Sequence, residues 1–161
     1  MARSPNFFIV GAARSGTTSM WEYLKQHPDI FMPEGFAYKE PSYFCNLYGY
    51  NDFNLYLELF AGVKEEKAVG EASTPYLTSP ESAAWIREVY PAAKIIILLR
   101  NPVDRAYSMY NWMIKEGYEG VYPFEEALDV EKVRIKDEHF KYINPQYYHN
   151  YLYFARYSNL Q

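Results

Sequence analysis

The stretch Ile9–Leu24, IVGAARSGTTSMWEYL, joins an apolar run to a helix through a loop of small residues. The run Phe7–Val10 predicts a buried strand of a parallel sheet, because it is continuous and too short for a helix. After the loop, Met20, Trp21 and Leu24 recur at helical spacing. A strand, a glycine-flanked loop and a helix in this order are typical of sites that hold phosphate groups.

The loop Gly11–Thr18 has the spacing of a P-loop, but Thr17 stands where that motif has its lysine. Small residues let consecutive N–H groups point into a concavity, and the helix that follows adds the positive end of its dipole. The hydroxyls of Thr17 and Thr18 add donors, and Arg14 is a candidate positive charge. Without the lysine, the loop is predicted to hold one tetrahedral anion and its neighbour, not a triphosphate. The alternative is a tight turn without a ligand.

A second candidate anion site follows the apolar run Lys94–Leu99, KIIILL. This run predicts another buried parallel strand, and Arg100 stands at its carboxyl end, where open α/β sheets bind ligands. Asn101-Pro102 then begins a helix, and Ser108 lies about two turns along it. Arg100 and Ser108 are therefore predicted to contact a second phosphate. The alternatives are a salt bridge at the strand end and a position on the helix surface.

Strands and helices alternate along the rest of the chain. A weaker strand is predicted over Lys67–Ser73, and helices over Thr17–Gln26, Asn54–Phe60, Ser79 (as N-cap) to about Tyr90, Pro102 to about Glu116, from Pro123, and from Asn144 to the end. In the third of these helices, Trp85, Ile86 and Val89 should face inward. The alternation predicts an α/β fold, a three-layer α/β/α arrangement with a parallel central sheet. The last helix has no stop signal, so we expect a single domain over 1–161 that lacks its C-terminal part.

Composition limits the class of partner. The net charge of −4 argues against nucleic acid, because duplex-binding proteins present a basic face. Cys45 is the only cysteine, which fits a reducing compartment or an excised domain. The sequence shows no signal peptide and no apolar run near the ~20 residues of a membrane span, so a cytoplasmic location is expected. Its three histidines and one cysteine have no metal-ligand spacing, so no metal is expected.

Four motifs together resemble one family, the sulfotransferases that use 3′-phosphoadenosine 5′-phosphosulfate (PAPS). The stretch GAARSGTTSMWEYLKQHPDI, Gly11–Ile30, resembles their 5′-phosphosulfate loop, and KIIILLRNPVDRAYSMY, Lys94–Tyr110, resembles their 3′-phosphate motif. KEPSYF, Lys39–Phe44, and GEASTPYL, Gly70–Leu77, also match in the right order. The similarity is closest to the heparan-type and bacterial branch.

The resemblance implies PAPS as the co-substrate, no metal, and a role for each motif. The 5′-phosphosulfate would lie on Arg14, Ser15, Gly16, Thr17 and Thr18, with Arg14 also stabilising charge on the leaving phosphate oxygen. Arg100 and Ser108 would hold the 3′-phosphate.

The general base is implied by the same resemblance. In the heparan-type branch it is a glutamate in an E-x-x-x-F stretch, which here is Glu40. Alternatively, Glu40 pairs with Lys39 or a nearby arginine and only shapes its loop. Lys39, Glu71 and Thr74 would lie near the acceptor, and Glu71 is the rival base.

Two other functions compete with sulfuryl transfer. A P-loop kinase or NTPase is favoured by the loop spacing and disfavoured by the missing lysine and by Arg100, which would repel Mg²⁺. A catalytically inactive nucleotide-binding fragment is the other, because sulfotransferases usually run well past 161 residues. The partners expected are the sulfate-donor nucleotide and an acceptor hydroxyl or amine on a carbohydrate, a lipid or a small molecule.

Overall fold

The computed structural model describes residues 4–34, 39–46, 52–134 and 136–137. The chain forms two compact units, Met1–Leu99 and Arg100–Gln161. The strands of the first unit are β1 (Phe7–Gly11), β2 (Ile30–Phe31), β3 (Ala68–Ala72) and β4 (Lys94–Ile97). Its helices are α1 (Thr17–Leu24), α2 (Phe53–Glu58), a 3₁₀ helix (Thr74–Leu77) and α3 (Ser82–Val89). The second unit contributes α4 (Pro102–Lys115) and α5 (Phe124–Arg134).

The four strands form one parallel sheet in the order β2-β3-β1-β4. Phe8 of β1 lies opposite Glu71 of β3 on one side and Ile95 of β4 on the other. The predicted α/β class with a parallel central sheet is thus confirmed. The carboxyl ends of β1 and β3 lie side by side, which brings the segments that follow them to one edge of the sheet.

Alternating residues of β1 supply two apolar clusters, as the period of two in a strand requires. Phe8 and Val10 pack with Tyr56 of α2 and Ile86 of α3. Phe7 and Ile9 pack on the opposite face with Trp21 of α1. Met20 and Leu24 of the same helix are partly buried against this cluster, as predicted.

The sequence misplaced the start of α3 and part of its inward face. Ser79 is not the N-cap, which is Glu81; Ser79 lies between the 3₁₀ helix and α3, and its N–H donates to the Pro75 carbonyl. The helix begins at Ser82, and its buried positions are Ser82 and Ile86, one turn apart. Trp85 and Val89 flank this line and are exposed.

The strand after α3 also differs from its prediction. In β4, Ile95 and Ile97 are about half exposed (50% and 49%) although the run was predicted to be buried. The reason is position, since β4 pairs only with β1 among the described strands and lies at the edge of the sheet. The strand β2 escaped prediction because two residues carry no periodic signal.

In the second unit, α4 begins as its sequence predicts. The Asn101 side chain accepts hydrogen bonds from the N–H groups of Val103 and Asp104, and Pro102 occupies the first turn. Arg134 at the end of α5 donates to the buried Glu119 carboxylate at 2.7 Å. The helix predicted from Asn144 lies outside the described residues.

Candidate active site

The loop between β1 and α1 has the backbone of an anion site. Arg14 and Gly16 adopt left-handed conformations (φ 64° and 91°), and α1 begins directly afterwards at Thr17. No side chain caps the helix at Gly16, and the first N–H groups of any helix lack intrahelical acceptors. Gly16 and Thr18 are exposed. The helix N-terminus therefore has N–H donors without intrahelical acceptors, the feature that anion sites at helix N-termini use.

Two further observations fit a phosphate group at this loop. The Ser15 hydroxyl is enclosed and has no hydrogen-bond partner in the described part of the chain. A Cβ built on Gly16 would meet no atom within 4 Å, so the backbone there is open to close approach. A tetrahedral anion would satisfy the hydroxyl and the helix donors together, with the exposed Arg14 nearby in the loop to neutralise charge.

Glu40 lies at the same edge of the sheet as this loop. A Cβ built on Gly11, the last residue of β1, would lie 3.3 Å from the Thr74 carbonyl oxygen. The Thr74 hydroxyl in turn donates to Glu40 Oε2 at 2.8 Å. Lys39 Nζ donates to Glu40 Oε1 at 2.5 Å, and the Lys39 side chain is buried while that of Glu40 is 36% exposed. The Lys39–Glu40 ion pair that the sequence left open as an alternative is therefore present, and Thr74 joins it in one cluster.

The segment 39–46 that carries Glu40 has no helix or strand and is held by side-chain hydrogen bonds. Ser42 has a left-handed backbone (φ 53°), and its N–H donates to the Ser73 hydroxyl at 3.0 Å. The segment is also held by Phe44 N–H to Tyr76 Oη, Ser82 Oγ to the Phe44 carbonyl and Asn46 N–H to Glu81 Oε1. The polypeptide around Glu40 is thereby fixed from the 3₁₀ helix and α3.

Glu71 occupies a different environment from Glu40. Its side chain is 1% exposed and points into the cluster that contains Phe8. Tyr56 Oη donates to one carboxylate oxygen, and Ser73 Oγ donates to the other at 2.6 Å. Burial raises the pKa of Glu71 to about 7; the hydrogen bonds from Ser73 and Tyr56 oppose the shift, and the charge of Glu40 adds to it.

Arg100 and Ser108 belong to the second unit. Arg100 is exposed and stands directly before the Asn101 cap of α4, and Ser108 is half-buried in the second turn of that helix. Their role at a 3′-phosphate stays a prediction.

Sequence reasoning did not identify Ser42 or Ser73 as parts of the site, nor Tyr56 as a partner of the buried Glu71. Tyr56 comes from α2 and meets Glu71 fifteen positions away, a contact made only by the fold. The one available signal for the two serines was their place in KEPSYF and GEASTPYL.

Among the residues that the structure describes, no group of three or more His, Cys, Asp or Glu side chains could hold a metal ion. Within the same ranges, no helix combines the length and apolar character needed to cross a membrane.

Comparison with known proteins agrees with this geometry. Residues 4–155 match the family model of the sulfotransferase domain. The chain is 34% identical over 113 residues to the membrane-associated sulfotransferase kil1 of Dictyostelium discoideum, which covers 69% of this chain and 23% of that protein. It is 30% identical over 112 residues to human bifunctional heparan sulfate N-deacetylase/N-sulfotransferase 3, covering 67% of this chain and 13% of that protein.

A solved structure extends the similarity to the fold. The sulfotransferase from Alicyclobacillus acidocaldarius superposes with a TM-score of 0.81 at 39% identity, covering 98% of this chain and 66% of that chain. The chain thus spans about two thirds of the length of this structure and about a quarter or less of the two curated relatives. From the loop geometry, the matching family model and these relatives together, the chain belongs to the sulfotransferase domain family.

Proposed function

We propose that this chain binds PAPS and transfers its sulfuryl group to a hydroxyl or amine of an acceptor, with Glu40 as the general base. The observation that carries the proposal is the position of the Glu40 carboxylate. It is bound by Lys39 and Thr74 and is partly exposed to solvent. Thr74 also lies close to Gly11, the last residue of β1, where the loop Gly11–Thr18 begins.

The donor nucleotide is proposed to bind through both predicted anion sites. The 5′-phosphate is proposed to accept hydrogen bonds from the backbone N–H groups of Gly16, Thr17 and Thr18. The hydroxyls of Thr17 and Thr18 and the enclosed Ser15 hydroxyl are further donors. Arg100 and Ser108 are proposed to contact the 3′-phosphate. When bound, the nucleotide supplies an activated sulfuryl group on its 5′-phosphate oxygen.

The side chains of the site then have two tasks, positioning and charge compensation, by analogy with phosphoryl transfer. Glu40 takes the proton from the acceptor hydroxyl or amine as the new bond to sulfur forms. Arg14 stabilises the negative charge left on the phosphate oxygen when its bond to sulfur breaks. Lys39 and Thr74 keep the carboxylate in place, since each binds one of its two oxygens.

The same geometry favours Glu40 over Glu71 as the base. A base must reach the proton that it removes. The Glu71 carboxylate is enclosed, and both of its oxygens accept hydrogen bonds inside the protein. For the acceptor, the heparan sulfate relatives favour a carbohydrate, with a lipid or another small alcohol as the competing classes.

Substitution of Glu40 by glutamine tests the proposal. We expect Glu40→Gln to bind 3′-phosphoadenosine 5′-phosphate as wild type does, while turnover of PAPS falls at least about a hundredfold, because a positioned base contributes ~10²–10⁴-fold. Glu88→Gln, on the exposed surface of α3, is the matched control and should keep full turnover. Unchanged turnover in Glu40→Gln would transfer the role of base to Glu71.

A further inference from the structure

We propose that Glu71 is a positioning residue for Glu40 and that it acts through the Ser73 hydroxyl on the backbone of Ser42. The proposal rests on the role of Glu40 as base given above. It assigns Glu71 a task within the protein instead of a contact with the acceptor.

The buried Glu71 carboxylate is stabilised by hydrogen bonds inside the protein. A carboxylate removed from water is costly unless hydrogen bonds compensate it, and this one receives two hydroxyl donors. Burial also raises the pKa of the Tyr56 hydroxyl well above its usual value, so the phenol keeps its proton and donates. The other groups facing the carboxylate are Tyr76, which also hydrogen-bonds to it, Tyr90 and the charge of Glu40. Ser73 and Tyr76 both lead to the segment 39–46, Tyr76 by accepting the Phe44 N–H and Ser73 by accepting the Ser42 N–H. The Ser73 route is the one that reaches Ser42, whose hydroxyl donates to the Glu40 carbonyl.

The Ser73 hydroxyl has a single hydrogen, and Glu71 determines where it points. Ser73 Oγ donates to Glu71 Oε1, which leaves its lone pairs to accept the Ser42 N–H. Above its pKa of about 7 the Glu71 carboxyl is ionised and accepts a stronger hydrogen bond than a neutral group would, so it then fixes the orientation of this hydroxyl most firmly. Glu71 thereby secures an acceptor for Ser42.

The backbone of Ser42 is where such a fixed acceptor has most effect. Its φ of 53° is unfavourable for a residue with a Cβ and persists only when the surroundings enforce it. The Ser42 hydroxyl donates to the carbonyl of Glu40 at 3.3 Å, and Thr74, the neighbour of Ser73, donates to the Glu40 carboxylate. Ser73 and Thr74 therefore position Glu40 in two ways. Ser73 acts on the backbone through Ser42, and Thr74 acts on the Glu40 carboxylate directly.

The test compares Glu71→Gln, Ser73→Ala, the double variant and Tyr56→Phe as the matched control. Tyr56→Phe removes the other hydrogen bond to Glu71 and leaves the Ser73 route intact. The readouts are kcat for release of 3′-phosphoadenosine 5′-phosphate from PAPS, binding of that product by calorimetry, and the melting temperature. Acceptor probes are an N-desulfated heparin oligosaccharide, a phenol and a primary alcohol.

We expect Glu71→Gln and Ser73→Ala each to lower kcat by about tenfold to a hundredfold with unchanged product binding, as small displacements of a catalytic group do. The double variant should lose little more than either single one, because both interrupt the same route. Tyr56→Phe should lower the melting temperature and keep kcat within about threefold of wild type.

A fall of kcat in Glu71→Gln with full kcat in Ser73→Ala would overturn the proposal and place Glu71 against the reacting groups. Melting temperatures that fall while every kcat stays at the wild-type level would overturn it too, since Glu71 would then only stabilise the fold. Failure of the proposed function is a separate result, normal turnover in Glu40→Gln.

A readout independent of turnover is hydrogen exchange at the Ser42 amide. Exchange should become faster in Glu71→Gln and Ser73→Ala and stay slow in Tyr56→Phe. Equal exchange rates in the wild type and in these three variants would contradict the proposal, whether or not an acceptor is found.

Discussion

The phosphate loop, Gly11–Thr18, and the segment 39–46 reach the same edge of the sheet by different means. The loop connects a strand to a helix, and its donors belong mainly to the backbone. The segment 39–46 has no regular structure and is positioned by hydrogen bonds with Ser73, Tyr76 and residues of α3. The proposed phosphate contacts thus depend on local sequence, whereas the position of Glu40, the proposed base, depends on contacts across the fold.

This difference predicts two patterns of sensitivity. The loop should tolerate most changes except those at glycines whose backbone must stay open or left-handed. The segment 39–46 should be sensitive to the loss of a single distant hydroxyl, because each hydrogen bond replaces support that a helix or strand would supply.

The largest effect on ligand binding is expected where a phosphate would depend on one charged side chain. Arg100→Ala should weaken binding of 3′-phosphoadenosine 5′-phosphate by at least about 2 kcal/mol, roughly 30-fold, because it leaves a bound phosphate without its charged partner. Isothermal titration checks this, with the exposed Arg87→Ala of α3 as the matched control. Equal binding by wild type and Arg100→Ala would remove Arg100 from the site.

The buried carboxylate of Glu71 gives the largest expected effect on stability. Burial raises the pKa of Glu71 from 4.5 to about 7, so between these pH values the folded protein holds a proton that the unfolded chain releases. Its contribution to stability is therefore full below pH 4.5 and is lost as the pH rises through 7. The difference in unfolding free energy, wild type minus Glu71→Gln, should fall by about 3 kcal/mol between pH 4 and pH 8. Denaturant titrations at both pH values measure it, and a constant difference would contradict the buried, proton-sensitive Glu71.

A glycine pair separates backbone strain from loss of the phosphate site. Gly16 and Gly117 both have positive φ (91° and 78°) and open space around a built Cβ. Alanine at either position should therefore cost a similar ~1–2 kcal/mol of stability. Only Gly16→Ala should also weaken binding of 3′-phosphoadenosine 5′-phosphate, measured by titration. Equal loss of binding in both variants would show that the loop is not the phosphate site.

The smallest effect concerns the backbone of Ser42. Ser42→Gly and Ser42→Ala both lose the hydroxyl, but only glycine relieves the left-handed conformation. We expect the glycine variant to be more stable than the alanine variant by about 1 kcal/mol in thermal or denaturant unfolding. The reverse order, which is usual in helices and strands, would mean that the conformation of Ser42 is not enforced by its surroundings.

The sequence carried the information for the strands β1 and β4 and for the loop because each of them is local. The apolar runs at β1 and β4 and the glycine spacing of Gly11–Thr18 each lie within a few consecutive residues. Exposure of Ile95 and Ile97 escaped the same reasoning, because it depends on which strand lies at the edge of the sheet.

The cluster of Lys39, Glu40 and Thr74 could be predicted only in part. Glu40 was predicted through family resemblance and its pairing with Lys39 as an alternative, but nothing in the sequence indicated that Thr74 would bind the other oxygen. The different environments of Glu40 and Glu71 arise because Glu71 faces the core from β3, opposite Phe8, and such a register is set by strand pairing. Strand pairing joins residues more than sixty positions apart, which periodicity cannot show.

The most direct test of the central claim is a crystal structure of the protein with 3′-phosphoadenosine 5′-phosphate bound. We predict the 5′-phosphate on the N–H groups of Gly16–Thr18 with the Ser15 hydroxyl as a further donor, and the Glu40 carboxylate facing that phosphate across the space for an acceptor. A 5′-phosphate bound elsewhere, or a Glu40 side chain turned away from it, would contradict the account.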